Sequence, residues 1–385
     1  MKKAAYRLFS HVTFGETRSN MKMHYRQLDK AARQAIALDN IHKSETVGIS
    51  NMFLHQKMSD IVNKLSDMNA ELNTRLNLLQ DRIAQAESKL ANTVIATTAM
   101  SMDKSFIDVR CDFLKTYPRA TGFLADVQYC NLHILKFLKK LTDENGLSFW
   151  LHAGTLIGAL RHQGFVPWDD DVDVGMMRAD FDALVNIVAS RDDCRIYRYY
   201  NDITCSVSYQ FKMNDIPVFI DIAVFDWTVA PKQEDRTNFL EKFRNARRSL
   251  VGDFRQKLKS PAVENIGYNH CGPYSPLIQK KVDALIQKYA NAVQARQDHG
   301  DAIYLGMENY PFPYPVMAVD QMFPLQNILF EGCSFQAPVN AELYLSGYGD
   351  IWACPADIGK TPHLYAFEPF RKEIKQFIGK EKIND

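Results

Sequence analysis

LHAGTLIGALRHQGFVPWDDDVDVGMMR, residues Leu151 to Arg178, is the stretch on which the reading of this chain turns. A small-residue turn, Gly154-Thr155, opens a short apolar helix, and the acidic cluster Asp169, Asp170, Asp171 and Asp173 follows. Asp171 and Asp173 alternate with Val172 and Val174. Residues two apart on a strand share a face, so the two carboxylates are expected to project together while the valines enter the core. Paired oxygen ligands on a rigid strand suit Mg²⁺ or Mn²⁺, and a divalent ion beside a glycine turn suits phosphate.

The surrounding pattern supports that placement. Ala125 to Leu141 has helical spacing of apolar residues, and Asp143 to Gly146 ends it. Leu147 to Leu151 reads as a strand, so the glycine turn follows a strand and precedes a helix, the usual context of a phosphate site. Beyond the acidic cluster, Arg178 to Ala189 reads as a helix. Strand patterns follow at Arg195 to Tyr200, Cys205 to Met213 and Val218 to Phe225. The last of these carries Asp221 between apolar neighbours. A buried carboxylate needs a cation, and a metal shared with Asp171 and Asp173 would supply one. The competing calcium-loop reading fails on spacing: the required glycine is one place late, at Gly175, and the twelfth position is Asp180 rather than Glu.

Two helical stretches, Glu234 to Lys259 and Pro276 to Arg296, are expected to form an inserted or capping layer near 234–300. Short strands are expected around Ile328 to Phe335. The fold class is therefore α+β, a mixed sheet with flanking helices. A long helix precedes it: between Asn51 and Ser101 there is no Pro or Gly, and apolar residues from Leu54 through Leu72, Leu79, Leu90 and Val94 step by threes and fours. This is a coiled-coil seam, and it predicts a homo-oligomer. The first fifty residues are locally basic with interleaved Tyr6, Phe9 and Phe14, as expected of a solvated tail or of a segment that touches an anionic membrane face. The chain thus divides into 1–50, a basic segment; 51–100, a coiled-coil helix; and 101–385, the catalytic domain.

Composition narrows the function classes. A net charge of +1 across 385 residues gives no reason to expect nucleic-acid binding. No apolar run approaches the ~20 residues that span a bilayer, and the N-terminus lacks a signal-peptide core. The expected location is cytoplasmic, with peripheral contact at the inner face of the cell membrane open. The seven cysteines are scattered and never spaced C-x-x-C, so reduced thiols are expected.

The order of glycine turn, helix, aspartate pair and later strand carboxylate resembles a nucleotidyltransferase fold of the DNA polymerase β type. The fuller string GTLIGALRHQGFVPWDDDVDVGMMRADF resembles the signature of the LicD family, which includes fukutin and the fukutin-related protein. A second block, Phe323-Pro324-Leu325, Phe330-Glu331-Gly332, Pro338 and Tyr344 to Asp350, is similar to that family's C-terminal segment. The resemblance covers about residues 122 to 355.

It implies transfer of a substituted phosphate, such as phosphocholine or ribitol phosphate, from a CDP-linked donor to a sugar hydroxyl of a surface glycan. On that basis Asp171 and Asp173 hold the metal, and Asp221 completes the site or takes the acceptor's proton. Gly154 and Thr155 cradle the phosphates, Arg161, Arg178 and Lys212 supply counter-charge, and Asp169 and Asp170 orient the metal ligands. Trp168, His152 and His162 are expected to be structural. Two other readings are a nucleotidyltransferase that releases pyrophosphate from an NTP, and a coiled-coil scaffold with an inactive domain.

Overall fold

The computed structural model describes residues 57–61, 64, 68, 82, 86 and 89–384, apart from 202–205, 231, 259–275, 297, 310–313 and 353–362. Two compact units divide the chain, Met1–Gln80 and Asp81–Asp385. In the first, the described residues are helical, and the seam positions Ile61 and Met68 are exposed. The basic segment and the seam positions Leu54, Leu65, Leu72, Leu76, Leu79 and Ile83 lie outside the described residues.

The second unit starts earlier than the expected boundary near 100. Residues 89–102 are helical and bury Ala91, Ile95 and Ala99 against Val109, Leu114, Val166 and Trp168. This stripe is offset by one residue from the predicted seam, whose Leu90 stays about half exposed. A helix can present two adjacent faces in this way because neighbouring residues point about 100° apart.

Helix α1 (Phe106–Lys115) is capped by Ser105, whose hydroxyl accepts the Asp108 N–H at 3.1 Å. Helix α2 (Gly122–Glu144) buries Val127, Ile134, Leu135 and Leu138 along one side. Next come β1 (Trp150–Leu151), α3 (Ala153–His162), β2 (Asp173–Met177) and α4 (Arg178–Ala189). Strands β3 (Cys194–Asn201), β4 (Ser206–Met213) and β5 (Ile220–Thr228) follow. Helices α5 (Gln233–Leu258) and α6 (Pro276–Ala292) form the expected layer, packing Phe243, Leu250 and Phe254 with Val282 and Leu285 against Tyr304. Tyr304 lies on β6 (Ala302–Leu305), and β6 pairs with β7 (Met317–Ala318).

The sheet is mixed. Its order is β1-β2-β5-β4-β3, and β6 pairs with the C-terminal half of β5. Among the described residues only β2 and β5 run parallel; the connection between them is long enough to hold α4 and the β3–β4 pair, as a parallel crossover requires. Strand β5 is therefore central and mostly buried, with Ile220, Ile222, Val224 and Phe225 in the core.

The second quoted block folds back onto the first. Strands β8 (Gln326–Phe330) and β9 (Cys333–Ala337) make a hairpin whose turn residues Glu331 and Gly332 both have positive φ. At that turn the Glu331 N–H donates to Gln163 O at 2.9 Å, and its Oε1 accepts the Phe165 N–H at 3.2 Å. The C-terminal helix α7 (Arg371–Asn384) lies on α2 through Phe377, whose ring meets that of His133 edge-on at 4.9 Å. No helix among the described residues is long and apolar enough to cross a membrane. The described cysteines Cys111, Cys130, Cys194 and Cys333 are free thiols.

Candidate active site

The carboxylates gather where β2 and β5 begin. Asp173 and Asp221 occupy the same register position of the parallel pair. Strand β2 starts only at Asp173, so Asp171 precedes the strand. It still reaches the same side as Asp173, while Val172 and Val174 are fully buried, as the alternation predicted. Ligand oxygens of Asp171, Asp173 and Asp221 all lie within 4.8 Å of one another.

The glycine turn holds this arrangement in place. Ala153 takes φ +46°, which turns the chain sharply into α3. The His152 N–H donates to Asp173 O at 3.0 Å, the Asp173 N–H donates to Thr155 Oγ1 at 2.8 Å, and the Gly154 N–H bonds the Asp173 carboxylate. The turn's polar groups thus aim Asp173. Gly154 also leaves room for the acidic cluster: a Cβ there would stand 2.7 Å from Asp169 Oδ2 and displace that carboxylate. The stretch after Trp168 is pinned by α2, where Gln128 Nε2 donates to Asp169 O at 2.8 Å and Asn131 Nδ2 to Asp170 O at 3.0 Å. Trp168 itself is buried and meets Tyr117 edge-on, a packing role.

A residue that the sequence reading missed completes the cluster. His363 Nε2 lies 3.1 Å from Asp171 Oδ2. The N–H groups of His363 and Leu364 donate to Asp170 Oδ2 at 2.9 and 2.5 Å. A lone histidine in Thr-Pro-His-Leu carries no local signal for this, and it lies 193 residues from Asp170. A layer of Tyr314, Tyr344 and Tyr348 also borders the site. Tyr344 OH accepts from Trp150 Nε1 at 2.9 Å and pairs with His152 Nδ1. Burial holds His152 neutral, its pKa lowered to about 3, and lowers His162 to about 4 with the help of Arg161 and Arg119.

Crowded, desolvated carboxylates resist ionisation. Burial first, and then Asp171 nearby, push Asp221 up to about 7 against the opposing charges of His363 and Lys212. Asp173 and Asp169 are raised by burial and by neighbouring aspartates. Burial also opposes ionisation of Asp171, but the His363 hydrogen bond and charge bring it below the ordinary carboxylate range. For His363, burial is outweighed by Asp171, Asp221 and Asp170, which raise the imidazole to about 9. Asp221 Oδ1 is buried without a hydrogen-bond partner. Three converging carboxylates with an unsatisfied buried oxygen are a donor set that fits a hard divalent cation.

The expected counter-charges separate in space. Lys212 lies beside Asp221, with its ammonium 5.2 Å from the centre of the Phe219 ring. Arg161 is buried in the last turn of α3 and donates from Nη1 to Ile351 O at 2.8 Å. Arg178 follows the far end of β2, five residues and roughly 16 Å of strand from Asp173. There it forms a buried triad with Asp226, at 2.8 Å, and Glu308, at 2.5 Å. The counter-charge role expected of Arg178 is corrected on this ground.

Residues 146–245 match the family profile described as LicD/FKTN/FKRP, nucleotidyltransferase domain. This domain belongs to the LicD family. The match runs from just before β1 into α5 and contains all the aspartates of the site. The lipopolysaccharide cholinephosphotransferase LicD of Haemophilus influenzae is 44% identical over 64 residues, 17% of this chain and 24% of that protein. The human and mouse ribitol 5-phosphate transferases FKRP are each 38% identical over 45 residues, 12% of this chain and 9% of theirs. The chain therefore matches about a quarter of the length of the Haemophilus LicD protein and less of the FKRP proteins.

Proposed function

We propose that this protein is a metal-dependent phosphotransferase. In this reading it moves a substituted phosphate, of the phosphocholine or alditol-phosphate kind, from a CDP-linked donor to a sugar hydroxyl of a glycan. The observation that carries the reading is the convergence of Asp171, Asp173 and Asp221 within 4.8 Å under the start of α3. The LicD-family domain and the transferase names of its relatives supply the reaction class.

A Mg²⁺ or Mn²⁺ ion held by Asp171, Asp173 and Asp221 would neutralise charge on the transferred phosphate and on the leaving CMP. The protein's own residues do the rest. The Gly154 N–H and Thr155 hydroxyl aim Asp173, while Gln128 and Asn131 fix the backbone of Asp169 and Asp170. Asp221 Oδ1, buried and without a hydrogen-bond partner, would take the cation or the acceptor's proton. Lys212 adds positive charge beside Asp221. The exposed seam positions Ile61, Met68 and Leu90 support a further part of the reading, that copies associate through the long helix.

Purified protein incubated with CDP-choline, CDP-ethanolamine, CDP-ribitol or CDP-glycerol, together with glycan acceptors, should release CMP only with divalent metal present. Absence of CMP from every donor, with pyrophosphate released from an NTP instead, would replace this reading with nucleotidyl transfer. Light scattering of the full chain should give a multiple of the monomer mass; a monomer would remove the association.

A further inference from the structure

Two groups of potential ligands share one residue. Asp171 belongs to the set with Asp173 and Asp221, and also to a second set with Asp170 and His363, whose donor atoms again all lie within 4.8 Å of one another. The second set is built rather than incidental. Asp170 is completely buried, its Oδ2 is occupied by the N–H groups of His363 and Leu364, and its Oδ1 is buried with no hydrogen-bond partner. The His363 ring is held edge-on against Phe219 at 5.7 Å, with Nε2 toward Asp171. An unpartnered buried carboxylate oxygen beside an oriented imidazole is an unmet demand for a cation.

Charge points the same way. Asp169, Asp170, Asp171, Asp173 and Asp221 crowd one end of the sheet, and the three-aspartate set leaves Asp169 and Asp170 outside it. The donor sets also differ in chemistry. The first is all oxygen, whereas the second adds an aromatic nitrogen, which favours transition metals over Mg²⁺.

We propose that Asp170, Asp171 and His363 form a second divalent-cation site, selective for Mn²⁺ or Zn²⁺ over Mg²⁺, that shares Asp171 with the three-aspartate site. The proposal rests on the reading that the three-aspartate site takes a cation. The C-terminal segment that carries His363 then closes the centre by ligating it, and the protein holds two ions of which one exchanges readily with Mg²⁺.

The test is metal binding by the full-length protein, stripped with EDTA and titrated with Mn²⁺ while free Mn²⁺ is followed by electron paramagnetic resonance. Two bound equivalents are expected, one of which persists in excess Mg²⁺. His363→Ala should bind one equivalent and lose the Mg²⁺-resistant ion. A single equivalent in the parent protein, or two in His363→Ala, overturns the second site and leaves the proposed function standing. No binding at all overturns both. Should His363→Ala fail to fold, the parent protein decides: pulsed resonance of its Mg²⁺-resistant Mn²⁺ must show nitrogen coupling from an imidazole, and its absence sinks the proposal.

Discussion

Asp173 and Asp221 stand opposite one another on adjacent parallel strands, and their carboxylates open into the same cluster. Like charges at directly paired positions repel, and burial magnifies the repulsion. Without a cation this pair opposes folding, so removing one carboxylate should stabilise the metal-free protein while it destroys activity. For Asp173→Asn and Asp221→Asn, metal-dependent CMP release is expected to fall by about 10³-fold, the equivalent of a lost transition-state charge contact. Melting in EDTA should occur at or above the parent temperature. A clear drop in melting temperature would show that these carboxylates are structural.

The same crowding sets the pH dependence. A group whose folded pKa lies above its unfolded value stabilises while protonated, and that contribution is lost as pH rises through the folded value. Asp221 and Asp170 are both raised to about 7 and His363 to about 9. Asp221 and Asp170 therefore lose their stabilisation as pH rises from about 4 to about 7, and His363 loses its own between about 6.5 and 9, so above pH 7 the loss is chiefly that of His363. His152 and His162 act in the opposite sense, but their lowered values confine that gain to pH near and below the unfolded value of about 6.5. In EDTA the melting temperature should fall by several degrees from pH 7 to pH 9, and Mn²⁺ should raise it more at pH 9. A melting temperature that rises with pH would refute this assignment of charge.

Arg178 sits between Asp226 and Glu308, both nearly inaccessible, with Glu308 Oε2 still unpartnered. Replacing the guanidinium by Arg178→Met leaves two buried carboxylates without compensation. Chemical denaturation should show a loss of about 3–5 kcal/mol, the cost typical of breaking a buried pair. Because this triad lies at the other end of β2, any folded fraction should bind Mn²⁺ with the parent stoichiometry.

Two glycines predict opposite signs. A Cβ at Gly158, in the middle of α3, would meet Gly164 O at 2.4 Å and Val166 N at 2.8 Å, both backbone atoms that cannot swing aside. Gly158→Ala should destabilise by about 1–3 kcal/mol or more through forced backbone displacement. At Gly252, inside α5, nothing lies within 4 Å of the added carbon. There the alanine should stabilise by about 0.5–1 kcal/mol through helix propensity. Urea unfolding of the two variants side by side checks both signs.

The reach of the sequence is visible residue by residue. By itself it determined the elements from α2 to β5 closely, the valine alternation that separates Asp171 and Asp173 from the core, the placement of Asp221 on a strand, and the two helices beyond. These follow from local periodicity and turn chemistry, which a linear chain records directly. Tertiary structure alone decided that Asp173 pairs in register with Asp221, that the glycine turn aims a carboxylate, and that Arg178 faces away. It alone decided, too, that His363 arrives from 193 residues away to touch Asp170 and Asp171. Such contacts depend on strand order and on the return path of the C-terminal segment over the sheet. A single histidine leaves no periodic trace of that path.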